Sequence, residues 1–220
     1  MRLLLATHNE HKRREFARLL VGHELELLPG DVTLPPEDGA TFAQNALGKA
    51  RAAAEATGRV CIADDSGIEA AALGGAPGVR SARYAGEHAS DAENLAKLLR
   101  EAPAHSALAY VCALVYFDPR APGAERVFEA RCEGRLAAEP RGAGGFGYDP
   151  GFLPDDDPPD DGDDRDDGPP ARERPPASER PPTMAELSDA QKDAISHRGR
   201  AARALLEWLG SEGPTDPKTG

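Results

Sequence analysis

Leu3-Leu-Leu-Ala-Thr-His-Asn-Glu10 decides the fold. Four apolar residues run into a stretch whose Thr7 and Glu10 have the Ser/Thr-x-x-Glu spacing of a helix capping box. A short strand turning directly into a helix opens an α/β arrangement. The helix is predicted over 10–21, with Phe16, Leu19 and Leu20 on its apolar face, and a strand over 24–28 ends at Pro29-Gly30. Thr41-Phe-Ala-Gln44 repeats the capping signal and opens a long helix to Thr57. Phe42, Ala46, Ala50 and Ala53 form its packed face, Asn45 and Lys49 share another, and Gly58 ends it. Val60–Ala63 reads as a strand with Asp64-Asp65-Ser66-Gly67 at its carboxyl end, and Ile68–Leu73 as a separate short strand. Ser90-Asp-Ala-Glu93 caps a helix over 91–101, and 107–117 with 125–137 reads as a long hairpin. Ser188-Asp-Ala-Gln191 begins a short helix. Ser196 caps the last, whose Ala201, Leu205 and Trp208 face the core, and 211–220 is a frayed tail.

The 220 residues, 40% apolar, suffice for a sizeable core and exclude a wholly disordered or fibrous chain. No apolar run approaches the roughly 20 residues of a spanning helix. Arg2-Leu-Leu-Leu-Ala6 passes straight into polar residues, unlike a signal peptide. Cys61, Cys112 and Cys132 match no zinc spacing and are expected to be buried thiols in a reducing cytoplasm. The net charge of −12 argues against a protein that tracks nucleic-acid phosphates. Residues 155–182 account for −7 of it, with eight prolines and two apolar residues. That segment is expected to be a disordered, solvent-facing insertion. A calcium-binding tract is the other reading, but EF-hand spacing is absent.

Chemistry concentrates in four places. Thr7-His-Asn-Glu-His-Lys12 lies at a strand-to-helix turn, where free N–H groups and the helix dipole attract anions. Asn9 adds a donor and Lys12 a positive charge. The Gly-x4-Gly-Lys pattern of a P-loop is absent, and a capped surface helix with solvated Lys12 is the plainer reading. Asp64 and Asp65 repel each other, so one must pair with a cation or hold a proton. A hard cation such as Mg²⁺ fits them, with Glu37 as a third carboxylate, although a turn cap and a solvated neighbour fit too. Gly144-Gly-Phe-Gly-Tyr-Asp149 lets backbone approach a ligand and offers two aromatics for stacking, or is simply a turn. Ser196-His-Arg-Gly199 places His197 and Arg198 at a helix start, with Lys192 on the preceding helix. They would meet a base edge or phosphate there, or remain solvated. Ser66 lacks the Gly-x-Ser-x-Gly elbow of a serine hydrolase.

Together these segments resemble the inosine/xanthosine triphosphate pyrophosphatase family. The matching stretches are Ala6–Lys12, Gly39–Ala46 with Lys49-Ala50, Ala63–Gly67, Leu73–Tyr84, Gly144–Pro150, Thr183–Leu187 and Lys192–Gly199. They follow the family's order across 1–210, apart from the insertion. The resemblance implies an elongated mixed β-sheet flanked by helices, in one two-lobed domain around a central nucleotide cleft, and a homodimer. It implies cleavage of ITP, dITP and XTP between the α- and β-phosphates. Thr7, His8, Asn9, Glu10, His11 and Lys12 would hold the triphosphate. Asp65 would be general base and metal-linked carboxylate, with Glu37 and Asp64 helping to place Mg²⁺. Lys49 and Ser66 would contact the nucleotide, and Phe146, Gly147, Tyr148 and Asp149 the base or sugar. Lys192, His197 and Arg198 would read the purine's 6-oxo edge.

The chain departs from the family in carrying Gln44 where many relatives have Glu, His8 in place of a small residue, and the 155–182 insertion. Three alternatives stand beside this reading. They are a related pyrophosphatase for modified pyrimidine or methylated nucleotides, a catalytically silent purine-nucleotide sensor, and a structural partner acting through the acidic arm.

Overall fold

A computed structural model describes residues 1–121, 125–159, 180–211 and 213. The 160–179 part of the acidic insertion and nearly all of the tail beyond Ser211 lie outside them. Among the described residues, six strands form one sheet: β1 (Arg2–Leu5), β2 (Glu24–Leu27), β3 (Cys61–Ala70), β4 (Ala107–Phe117), β5 (Arg126–Leu136) and β6 (Phe152–Pro154). Their order is β2-β1-β3-β4-β5-β6. β1 is parallel to β2 and β3, and every pairing beyond β3 is antiparallel. The helices are α1 (Glu10–Leu19), α2 (Phe42–Thr57), α3 (Asp91–Glu101), α4 (Asp189–Ile195) and α5 (His197–Ser211). This is the expected mixed sheet flanked by helices.

The two-residue period of the strands divides the core. Leu3, Leu5 and Ile62 face α1 and α5, packing with Phe16, Leu20, Ala201 and Leu205. Leu4, Cys61 and Ala63 face α2, against Ala46, Ala50 and Ala53. A third cluster joins the far ends of β3 and β4 (Ile68, Ala70, Leu108, Tyr110) to Leu95 and Leu98 of α3, and to Tyr148 and Phe152. The small face of α2 lets that helix lie close to the sheet, as its alanine spacing predicts.

Three expectations need correction. The N-cap of α1 is Asn9, whose side chain accepts from the backbone N–H groups of His11 and Lys12. Thr7 Oγ1 instead accepts from Asn9 N at 3.2 Å, and Glu10 pairs with Arg13 on the exposed side of the helix. Asn9 stands immediately before the first helical residue, so its short side chain closes the cap that Thr7 cannot reach. Asp64 and Asp65 do not end a strand. β3 continues to Ala70 because β4 pairs with it along its whole length, from Cys61↔Phe117 to Ala70↔Leu108. The separate strand predicted over 68–73 therefore merges into β3, and Ala71–Leu73 forms a 3-10 turn.

Gly67 allows β3 to pass against the 3-10 segment Gly78–Arg83. Ser81 Oγ accepts from Ile68 N at 2.8 Å and donates to Gly78 O at 2.6 Å. A methyl group on residue 67 would collide with Ser81 Oγ and lie 2.7 Å from Gly78 O. Gly67→Ala is expected to destabilise the protein by about 1–3 kcal/mol through overpacking, measured by urea unfolding. A stability equal to that of the parent would show that this contact relaxes freely.

Candidate active site

Adjacent residues on β3 point to opposite faces, and this separates the two aspartates. Asp64, with Ile62, faces α1 and α5; Asp65, with Ala63, faces α2.

On the α1/α5 side, fully buried Asp64 receives Lys12 Nζ at 3.0 Å and Arg198 Nε at 3.2 Å. Ser66 Oγ donates to the same carboxylate and accepts from Arg198 Nη2 at 2.6 Å. Burial alone would raise the Asp64 carboxyl, but Lys12, Arg198 and Lys49 outweigh it and hold the group well below the usual carboxylate range. Arg198 Nη1 also reaches Glu15 at 2.9 Å, and Lys192 Nζ reaches the other Glu15 oxygen at 2.6 Å. Lys192 continues to Asp149 at 2.7 Å. Tyr110 donates to the second Asp149 oxygen at 2.9 Å, and Asp149 Oδ2 accepts from Phe146 N at the same distance. A chain of buried charges thus runs from the start of α1 to the aromatic loop.

On the α2 side, Asn45 Nδ2 donates to Asp65 Oδ2 at 2.8 Å, while its own Oδ1 accepts from Gly39 N. Lys49 Nζ pairs with Glu37 and lies 3.8 Å from Asp65 Oδ1. Burial, helped by the negative charge of Glu37, raises the Asp65 carboxyl above its ordinary value against the pull of Lys49 and Lys12. Burial lowers the Lys49 ammonium's affinity for its proton, yet Asp64, Glu37 and Asp65 together keep it above its ordinary value.

His197 is buried and stacked on Tyr110, with centroids 4.6 Å apart. Burial, with Arg198 and Lys192 nearby, holds its imidazole well below the usual histidine value, so it is neutral at pH 7. Its Nδ1 has no hydrogen-bond partner. The Phe146 ring stacks against His11 and lies 5.0 Å from Lys192 Nζ and 5.1 Å from the Arg198 guanidinium carbon.

A cavity of about 520 Å³, ample for a nucleotide, brings these groups together. Every residue expected at the site lines it except Glu10, Asp64 and Lys192. Glu10 points away on α1, whereas Asp64 and Lys192 stand behind the wall and hold cavity-lining side chains. Among the described residues, no three His, Cys, Asp or Glu side chains gather closely enough to hold a metal by themselves. Of the four carboxylates lining the cavity, Glu37 and Asp65 share Lys49, whereas Asp149 pairs with Lys192 and Asp91 stands apart on α3. The hard oxygen donors and excess negative charge of Glu37 and Asp65 fit Mg²⁺, which takes one or two carboxylates and completes its shell with water and phosphate oxygens.

The model of the Ham1 family matches residues 3–208. This chain belongs to that family. It is 45% identical to a protein from Mycolicibacterium paratuberculosis named dITP/XTP pyrophosphatase, covering 94% of this chain and 95% of the relative. A protein of the same name from Geobacillus kaustophilus is 44% identical, with 97% and 98% covered. Among solved structures, a HAM1 protein from Coxiella burnetii superposes with a TM-score of 0.75 at 35% identity, covering 96% of this chain and 98% of that one. A nucleoside-triphosphatase / dITP/XTP pyrophosphatase from Mycobacterium abscessus gives 0.65 at 40% identity, with 94% and 99% covered.

In this Ham1 family member, sequence reading missed the parts played by Glu15, Asn45 and Tyr110. Glu15 carried a usable signal. It lies three residues after Lys12 and directly before buried Phe16, so a helix turns it inward, and a buried carboxylate needs cations. Tyr110 is a polar tip in an otherwise apolar strand, and nothing local points it at Asp149.

Glu15 provides a test of the charge chain. Burial opposes its ionised form, but Arg198 and Lys192 hold its pKa below the ordinary glutamate value. Its ion pairs therefore stabilise the fold fully above the unfolded value of about 4.3 and are lost as pH falls through the lower folded value. Glu15→Gln is expected to cost about 3 kcal/mol at pH 7. The gap to the parent should narrow as both are unfolded in urea at pH values stepping below 4.3. A gap independent of pH would remove Glu15 as an ionised partner.

Proposed function

We propose that this protein hydrolyses ITP, dITP and XTP to the nucleoside monophosphate and pyrophosphate, removing non-standard purines from the nucleotide pool. One observation carries the reading: Lys12 and Asp65, from separate motifs, share a cavity with Lys49, the Phe146 loop and, from the last motif, Arg198. Relatives 44 and 45% identical that bear the name dITP/XTP pyrophosphatase support it.

A triphosphate brings roughly four negative charges, and cations must offset them before a nucleophile approaches. Lys12, at the start of the helix that Asn9 caps, binds the phosphates, and Lys49 approaches them from α2. Asp65 is the general base. Asn45 fixes one carboxylate oxygen and leaves the other beside Lys49, so Asp65 can take a proton from an attacking water. Glu37 and Asp65 would hold Mg²⁺, which would supply charge neutralisation on the phosphates and acidify bound water. Asp64, expected beside them as a third ligand, acts instead on Lys12 and Arg198, whose heads it holds in place.

Phe146 offers its ring to the base. Arg198, which lines the cavity, is a donor complementary to the 6-oxo acceptor of hypoxanthine or xanthine and mismatched to the 6-amino group of adenine, whereas Lys192, expected beside it, stands behind the wall and holds Asp149. A buried mismatch of this kind supports discrimination of about 10⁴. Neutral His197 adds one unsatisfied nitrogen at the same wall. A homodimer in the cytoplasm completes the reading, and free, buried Cys61, Cys112 and Cys132 suit a reducing compartment.

With ITP, the first product is expected to be pyrophosphate. Orthophosphate as first product would refute the bond assigned. Chelation should abolish the release and added Mg²⁺ restore it; full turnover in excess chelator would remove the metal. Asp65→Asn should lower kcat by roughly 10²–10⁴-fold with KM within a few-fold, measured by the same assay. Near-normal turnover in that variant would assign the proton transfer elsewhere.

A further inference from the structure

The aromatic loop is tied to the protein by two consecutive backbone N–H groups that run to carboxylates on different elements. Phe146 N donates to Asp149 Oδ2 at 2.9 Å, within the loop itself. Gly147 N donates to Asp91 Oδ2 at 2.7 Å, across to the first turn of α3. Gly145 and Gly147 both have left-handed φ, +68° and +65°, so the backbone on each side of Phe146 is easily moved unless something grips it.

Asp149 has other partners, for Lys192 and Tyr110 share it. Asp91 is different. It is exposed, lines the nucleotide cavity, and among the described residues forms no ion pair. A carboxylate without a cation on the wall of a polyanion site is electrostatically unfavourable. Its cap neighbours do not require it: Ser90 and Glu93 complete the α3 capping box between them.

We infer that Asp91 is a positioning residue that fixes the Phe146 loop for the purine base, linking α3 to the far wall of the cleft. The inference rests on the proposed nucleotide reading for its kinetic arm alone. The loop can hold its ring square to the base only while both N–H groups are engaged. Asp91 itself touches no reacting atom.

The test compares Asp91→Ala with Asp91→Asn, which keeps a carbonyl acceptor. In the nucleotide-free protein, Asp91→Ala should speed hydrogen exchange of the amides at 146–147, and Asp91→Asn should restore most of the protection. With ITP, Asp91→Ala should raise KM about tenfold, the scale of one lost charge-assisted hydrogen bond, with kcat falling less than about threefold. Inhibition by inorganic tripolyphosphate, which has no base, should stay within about twofold of the parent. Unchanged exchange would overturn the inference, as would an Asn variant as impaired as Ala or a parallel loss of tripolyphosphate inhibition. If the parent fails to cleave ITP, the nucleotide reading falls, while the exchange arm still decides the role of Asp91 in holding the loop.

Discussion

Asp64 and Asp65 are neighbours in a strand paired to β4 on both sides of them, and a paired strand cannot send successive side chains to one face. The rest of the site follows from that constraint. One carboxylate enters a wall of cations from α1 and α5, and the other meets an amide, a lysine and a second carboxylate at α2 and the loop before it. Two groups of the same chemistry acquire opposite tendencies. Asp64 is held firmly ionised, whereas Asp65 is pushed toward its protonated form. Environments that drive two carboxyls apart in this way divide the work of a site between a fixed charge and a group able to exchange a proton.

The fixed charges form a continuous chain: Lys12, Asp64, Arg198, Glu15, Lys192 and Asp149. Three cations alternate with three carboxylates, all but Lys12 nearly inaccessible to water. Helix α1 supplies both Lys12 and Glu15, one turn apart, so it contacts the chain twice. In a poorly polarisable interior, each member is tolerated because its neighbours are present, and loss of one leaves a buried charge without compensation. The arrangement orients Lys12 and Arg198 before any ligand arrives. Little reorganisation then remains when a polyphosphate enters, which is the physical basis of electrostatic preorganisation.

Much of this was legible locally. The caps at Thr41, Ser90 and Ser188, the left-handed end of α2 at Gly58, and the β4–β5 hairpin lie where the residues place them. Each depends on contacts within a few positions or on an alternation visible in one stretch. The misreadings share a different cause. Thr7 and Glu10 have capping-box spacing, yet Asn9 takes the cap because it is nearer the helix start. Two adjacent carboxylates within the 61–70 strand resemble a strand end, so its local sequence reads as two strands. The pairing partner that carries β3 through them lies some 50 residues away in sequence. Asp91 and Tyr110 hold the aromatic loop through contacts that no periodicity announces.

The sequence by itself determined the α/β class, the positions of most helices, the family resemblance, and most of the side chains that meet in the cleft. Its caps, glycines and ordered motifs are local, and local geometry follows from local residues. Only the tertiary structure decided which face each aspartate occupies, which carboxylate neutralises which cation, and what anchors the loop bearing Phe146. Arg198 and Asp64 are 134 residues apart in the chain. Their meeting is set by the register of β3 on β4 and by the packing of α5 against the sheet, and both arise from the fold as a whole.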